Sequence, residues 1–261
     1  MTLRPDIIDE LVGHWADGRQ VQPFSERPQG FSLAEAYLVA DGVRRRRTER
    51  GEKPVGRKIG FTNRQIWKDH GIAAPIWGTV YDSTLHHITE DQTFTLGTIP
   101  EPRIEPELVL HLGCRPEPGM GEAELSSCVD WVAPGFEIVF SIFPGWKFSA
   151  ADAVAAFGVH RALYVGEPLP FSGTLPEFDV TLRGSGGIIR TGNARDVLGG
   201  PMKALHFLLH ELQGNAGQPP IEAGETITTG TLTEAMPAVP GDRWTFACVG
   251  LGCPDISLRL A

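Results

Sequence analysis

The sequence predicts an α+β protein in which a helical N-terminal segment, residues 1–52, packs on one large domain of short strands, residues 53–261. Three observations lead there. The first fifty residues repeat apolar side chains with a helical period and carry helix-start signals. The remainder is broken by Gly and Pro into short β-rich runs. No tandem repeat, low-complexity tract or long linker divides that body, so its strands are expected to share one core.

Taken in order, Pro5 suits a first helical position ahead of Ile7, Ile8, Leu11 and Val12. Ser32-Leu33-Ala34-Glu35 has the form of a capping box and opens a second amphipathic helix that runs to Arg50 and Gly51. Arginines 44–47 point all around that helix, which reads as a solvated face or an oligomer contact. Strands are expected over 55–61, 78–81, 104–112, 136–140, 161–165, 178–182, 224–230, 243–249 and 255–260. Helices are expected over 122–132 and over 202–213, the latter entered through Pro201 and closed by Gly214. Gly184-Ser185-Gly186-Gly187 is followed by no lysine-bearing helix, so it reads as a hairpin turn and not a phosphate loop.

Composition narrows the function classes. With 41% hydrophobic and 21% charged residues, the 261-residue chain has the make-up of a folded globular protein. A net charge of −9 disfavours nucleic acid and anionic lipid as partners. No run approaches the roughly 20 apolar residues of a membrane span, and Asp6, Asp9, Glu10 and Asp17 stand where a secretory signal needs an apolar core. A cytoplasmic location is expected. Cys114, Cys128, Cys248 and Cys253 show no C-x-x-C spacing and read as bystander thiols.

The most informative stretch is Pro102-Arg103-Ile104-Glu105-Pro106-Glu107-Leu108-Val109-Leu110-His111. In a strand, alternation puts Glu105, Glu107, Val109 and His111 on one face, with the two carboxylates about 7 Å apart. Glu137 adds a third carboxylate, between Phe136 and Ile138 in a segment apolar on both sides. A charge buried there needs a cation. One candidate is a hard, oxygen-preferring ion, Mg2+ or Mn2+, held by all three carboxylates. The other is an arginine or lysine in a structural salt bridge. His111 lies one alternation beyond Glu107 and serves at most beside the ligands.

In Gly56-Arg57-Lys58-Ile59-Gly60-Phe61-Thr62-Asn63 a lysine sits in mid-strand, where lysine is depleted. Glycines on both sides, Gly60 among them, let a backbone or ligand approach closely. Near a divalent cation, Lys58 would have its charged form disfavoured by desolvation and like charge, which suits a proton shuttle. Otherwise it is an edge-strand lysine reaching solvent. Lys147, between Trp146 and Phe148, could meet a distal substrate carboxylate or lie on a surface loop. His160, His206 and His210 read as packing or surface residues.

The ordered set of Gly-x-Lys-Ile-Gly-Phe-Thr, Pro-Arg-Ile-Glu-x-Glu, Glu137, Ala223-Gly224-Glu225-x-Ile227-x-Thr229-Gly230-Thr231 and Pro240-Gly241-Asp242 resembles the fumarylacetoacetate hydrolase superfamily. Within it the chain is most similar to the branch of 2-keto-4-pentenoate hydratases and 4-oxalocrotonate decarboxylases, including Val197-Leu198-Gly199-Gly200-Pro201 before the late helix. The resemblance implies a mixed β-sheet roll as the catalytic domain. It implies a divalent ion, Mg2+ or Mn2+, on Glu105, Glu107 and Glu137, with Lys58 as acid/base and Gly230 and Thr231 beside the substrate. The substrate class it implies is a small unsaturated 2-oxo acid from aromatic ring degradation, whose carboxylate and 2-oxo oxygen chelate the ion. Hydration leads among the implied reactions and decarboxylation follows. Acylpyruvate C–C hydrolysis or a non-catalytic scaffold role are the further alternatives, and a homo-oligomer is expected.

Two segments depart from that pattern. Hydratases of the branch show Asp in a Pro-Asp-aromatic-Gly segment, where this chain has Pro75-Ile76-Trp77-Gly78, with Ile as in the decarboxylases. Ile76 is therefore expected to line the pocket, and the charged residues close to it in sequence are Lys68, Asp69, His70 and Asp82. The branch's Asp-Asn-Ala-Ser after Val-Ala is replaced by Ala156-Phe157-Gly158-Val159, which implies a more apolar pocket.

Overall fold

The computed structural model describes residues 4–64, 67, 74–89, 92–214 and 218–261. In chain order these form α1 (Pro5–Asp17), α2 (Leu33–Glu49), β1 (Pro54–Gly60), β2 (Ile76–Tyr81), β3 (Leu85–His87), β4 (Thr93–Phe94), β5 (Arg103–Leu112) and α3 (Glu122–Leu125). There follow β6 (Val129–Val139), α4 (Ala150–Ala155), β7 (His160–Val165), β8 (Leu169–Pro170), β9 (Asp179–Gly184), β10 (Ile188–Asn193), α5 (Pro201–Gly214), β11 (Thr226–Thr231), β12 (Met236–Pro237), β13 (Arg243–Val249) and β14 (Ile256–Leu260). The fold is α+β, as the sequence predicts.

The larger sheet runs β2-β1-β11-β5-β6-β7-β3, with β12 beside β5 and β8 beside β6. It is mixed, because β1 pairs β11 and β3 pairs β7 in parallel while the other pairings are antiparallel. It also curls: Val80 of β2 and Leu163 and Val165 of β7, far apart in strand order, pack into one buried cluster with Val109 and Ala133. That cluster fills the middle of the inner face. At one end of the same face lie Glu105 and Glu107. At the other, His111 stacks on Trp131 at 4.6 Å. The outer face of β5, carrying Ile104, Leu108, Leu110 and Leu112, belongs to the main core, which also takes in Trp244 and Phe246 of the second sheet, β10-β9-β13-β14-β4.

The N-terminal helices share that main core. Ile7, Ile8 and Leu11 of α1 and Val39 and Val43 of α2 are buried in it together with Ile59 and Trp77. Gly42 lets the helices cross closely, since a Cβ there would fall 2.3 Å from Ile8 Cδ1. The Ser32–Glu35 capping box forms as expected. The arginine run divides unevenly. Arg44 and Arg45 pair with Asp41, and Arg46 with Asp9. Arg47 is buried, sandwiched 4.1 Å from Trp15 and 4.0 Å from Tyr81 and paired with Glu52, so it fastens both helices to the sheet.

The helix expected over 122–132 stops at Leu125, followed by a 3-10 turn over Ser126–Cys128. From Val129 the chain is strand, where Val129, Trp131 and Val132 pair with Leu112, His111 and Leu110 of β5. Tertiary pairing overrides the helix propensity of the preceding residues. The hairpin turn at 184–187 is present between β9 and β10. Among the described residues, no helix is long and apolar enough to cross a membrane.

Candidate active site and metal centre

Register builds the site. Across the β5–β6 pair, Glu105 lies directly opposite Glu137, and Glu107 opposite Gly135. Like charges directly opposite destabilise a sheet unless something neutralises them. One ligand oxygen from each of Glu105, Glu107 and Glu137 can be chosen so that all lie within 4.8 Å of one another. Glu107 and Glu137 are fully buried and Glu105 is half-buried at a cavity.

The supports of these carboxylates come from distant segments. Glu107 Oε2 accepts hydrogen bonds from the Gly230 amide, at 2.8 Å, and from the Thr228 hydroxyl. Both donors are aimed by an irregularity in β11, where the register with β5 shifts between Thr228 and Thr231. Gly230 holds φ +104°, and a Cβ there would fall 2.1 Å from Thr62 Oγ1. Only glycine fits. Glu137 Oε1 accepts from His160 Nδ1 at 2.8 Å, while His160 Nε2 faces the Thr84 hydroxyl at 3.0 Å. The sequence reading treated His160 as packing and missed this contact.

Glu107 Oε1 and Glu137 Oε2 are buried without a hydrogen-bond partner. Leaving such atoms unpaired is costly. The donor set is three carboxylates with no sulfur, which fits a hard divalent cation with room left for substrate oxygens. The alternative partner for Glu137 is also present, because Lys58 Nζ lies 3.4 Å from Glu137 Oε2.

Lys58 is 2% exposed. A Cβ on Gly60 would fall 3.2 Å from Ile76 Cγ1 and 3.4 Å from the Lys58 amine, and one on Gly158 would fall 3.6 Å from its Cδ, so both glycines lie directly alongside the lysine side chain. Burial disfavours the ammonium, but Glu137, Glu105 and Glu107 together outweigh it and raise the lysine above its ordinary value. Burial pushes the carboxyls of Glu105 and Glu137 up to about 7, against the pull of Lys58. Glu107 is held well above the ordinary range by burial and by Glu137. Burial, with Lys58 next, keeps His160 neutral, so its Nδ1–H donates to Glu137.

Lys58, Gly60, Ile76, Glu105 and Thr231 all line a cavity of about 530 Å³. Phe61, Trp146 and Val159, also in its wall, hold positive φ of 57°, 57° and 58°. Each costs on the order of 1–3 kcal/mol, and such strain concentrates at functional sites. Val159 and Phe148 make part of the wall apolar. Lys147 is exposed, while its neighbours Trp146 and Phe148 face the cavity.

Other residues singled out from sequence lie apart. His111 pairs with Asp130 at 2.8 Å at the far end of the sheet. Asp82 is exposed and accepts from the Lys53 amide. Lys68, Asp69 and His70 lie outside the described residues. Among the described residues, His206 and His210 join no metal-binding cluster.

No protein-family model matches the chain. Among relatives, the 2-hydroxyhexa-2,4-dienoate hydratase of Comamonas testosteroni is 27% identical over 241 residues, covering 91% of this chain and 90% of that one. A 4-oxalocrotonate decarboxylase of a Pseudomonas species is 32% identical over 200 residues, 75% of each chain. Among solved structures, the 4-oxalocrotonate decarboxylase of Pseudomonas putida G7, complexed with magnesium and adipate, superposes with a TM-score of 0.91 at 25% identity. It covers 100% of this chain and 99% of that one.

Proposed function

We propose, because the chain belongs to the 2-keto-4-pentenoate hydratase and 4-oxalocrotonate decarboxylase branch of the fumarylacetoacetate hydrolase superfamily, that it is a divalent-metal-dependent lyase acting on a small unsaturated 2-oxo acid. The observation that carries this reading is the convergence of Glu105, Glu107 and Glu137, two of them with buried oxygens that lack a hydrogen-bond partner, beside the amine of Lys58.

In this reading the three carboxylates hold Mg2+ or Mn2+. When bound, the ion supplies Lewis-acid polarisation of a 2-oxo carbonyl and its neighbouring carboxylate. Lys58 Nζ faces the cavity and gives and takes the proton that hydration places on the substrate's carbon skeleton. His160 holds Glu137, and Thr228 with the Gly230 amide holds Glu107, so that the ligands keep their geometry. Ile76, Phe148 and Val159 keep that side of the cavity dry. A cytoplasmic homo-oligomer is part of the same proposal.

Hydration leads. Ile76 supports decarboxylation as the second reading: it lines the cavity within the space that Gly60 leaves beside Lys58, and an apolar wall destabilises a leaving carboxylate relative to neutral CO2. Purified protein with Mg2+, assayed on 2-hydroxypenta-2,4-dienoate and on 2-oxohex-3-enedioate, separates the two. Water addition to the first supports hydration and CO2 release from the second supports decarboxylation. Turnover of neither refutes the lyase reading and returns the chain to acylpyruvate hydrolysis or a scaffold role.

A further inference from the structure

We propose that the cavity between the end of α1 and the turn over residues 95–100 is a second binding site, separate from the three glutamates, in which Arg161 takes an oxyanion: a phosphate or a carboxylate group.

The two cavities share no lining residue. His160 turns to Glu137, so alternation along β7 sends Arg161 to the opposite face of the sheet, against the end of α1. There it lines a cavity of about 190 Å³. Its guanidinium carbon stands 4.5 Å from the centroid of the Trp15 ring, and that of Arg47 stands 4.1 Å from the same ring. One indole therefore carries two cations. Arg47 is neutralised by Glu52. Arg161 has no such counter-ion: among the described residues it pairs with no carboxylate, and its one hydrogen bond, to the Trp15 carbonyl, is long at 3.5 Å. Burial, and then Arg47, lower the guanidinium below its ordinary value, with no acid acting to raise it. It stays charged all the same, and a half-buried charge without a counter-ion is costly.

The acids that flank the walls in sequence are committed: Asp17 to Arg19 at 2.8 Å, and Glu101 to Gln20 and the Gly145 amide, each at 2.8 Å. The cavity is built into the fold. Gly18 ends α1 at φ +65°, and a Cβ there would fall 2.2 Å from the Thr98 carbonyl oxygen, so glycine alone lets the turn close on the helix. Thr95 and Thr98 add hydroxyl-bearing residues to the same wall. A guanidinium over a ring keeps N–H edges free, and that fork fits the oxygens of a phosphate or carboxylate.

Calorimetry on the chelator-treated protein, in which the three glutamates hold no ion for an oxyanion to join, tests this with inorganic phosphate and acetate in separate titrations. The wild type is expected to bind one of them with a Kd of about 1 mM or tighter, and the tighter of the two names the group that the site prefers. Arg161→Gln should weaken that binding at least about tenfold, and Arg161→Lys, which keeps the charge and loses the fork, should fall between. No binding of either anion by the wild type at about 10 mM overturns the proposal. So does binding that Arg161→Gln leaves unchanged, which would make Arg161 only a cation serving the carbonyl end of α1. A wild-type crystal soaked in the same two anions gives a reading that needs no variant. An anion within hydrogen-bond distance of the Arg161 guanidinium is expected, and one found only beside Lys58 and the glutamates, or nowhere, overturns the proposal. Neither measurement involves turnover, so the lyase reading stands or falls separately.

Discussion

Raising the pH should loosen the metal-free protein and tighten its hold on a divalent ion. Glu105 and Glu137 are pushed up to about 7 in the folded chain, against an ordinary carboxyl value of 4.5. Between those values the folded state keeps protons that the unfolded state has released, so stability is lost as pH rises through that window. Each proton of difference is worth about 1.4 kcal/mol per pH unit, so the pair gives a slope of about 3 kcal/mol per unit where both titrate, and Glu107, also held well above its ordinary value, adds to it in the same direction. His160 opposes this, since its folded value is depressed and the unfolded chain takes up a proton below 6.5 that the folded chain refuses. Glu52 and Glu101 are held low and act below 4.5, outside the window. The clean readout is therefore the difference between melting temperatures in saturating Mg2+ and in chelator, from about pH 5.5 to about pH 8.5. Binding requires ionised ligands and releases their protons, so the metal-induced shift should be small at the acid end and grow through neutrality. A chain of this size converts each kcal/mol into about 2–4 °C. Glu105→Gln should flatten the rise. A Mg2+ shift of the same size at every pH would refute the electrostatic account of the site.

Lys58→Ala should lower kcat by about a hundredfold or more while Mg2+ affinity by calorimetry stays or improves, because a cation beside the ligands is removed; full activity would refute its role. His160→Ala strips Glu137 Oε1 of its donor, and should weaken Mg2+ binding by roughly ten- to a hundredfold and lower the melting temperature. Gly230→Ala forces a side chain onto Thr62 at positive φ and should destabilise the chain by at least about 1–3 kcal/mol in denaturant titration, with metal affinity falling as Glu107 loses its amide donor.

The parts of the site legible in sequence are those governed by a local period. Glu105 and Glu107 share a face because strand side chains alternate, and Glu137 stands out because a carboxylate among Phe136, Ile138 and Val139 must be compensated. Lys58 was visible as a lysine between glycines in mid-strand. What stayed hidden depends on register between distant strands. His160 meets Glu137 across β6 and β7, where an irregularity between Ile138 and Val139 shifts the pairing so that Val139 lies opposite His160. Thr228 and Gly230 reach Glu107 through the irregularity in β11, and no pattern within 224–230 announces it. The helix misplaced over 126–132 shows the converse: Val129, Trp131 and Val132 become strand because β5 is there to pair with them.

The central claim is that Glu105, Glu107 and Glu137 form a divalent metal site on which a 2-oxo acid is held beside Lys58. A crystal soaked in Mg2+ and oxalate tests it most directly. The account predicts one ion with an oxygen of each glutamate at about 2.0–2.1 Å, and oxalate completing the coordination within reach of the Lys58 amine. An ion bound elsewhere, or Glu137 still engaged only by Lys58 and His160 at saturating Mg2+, would contradict it.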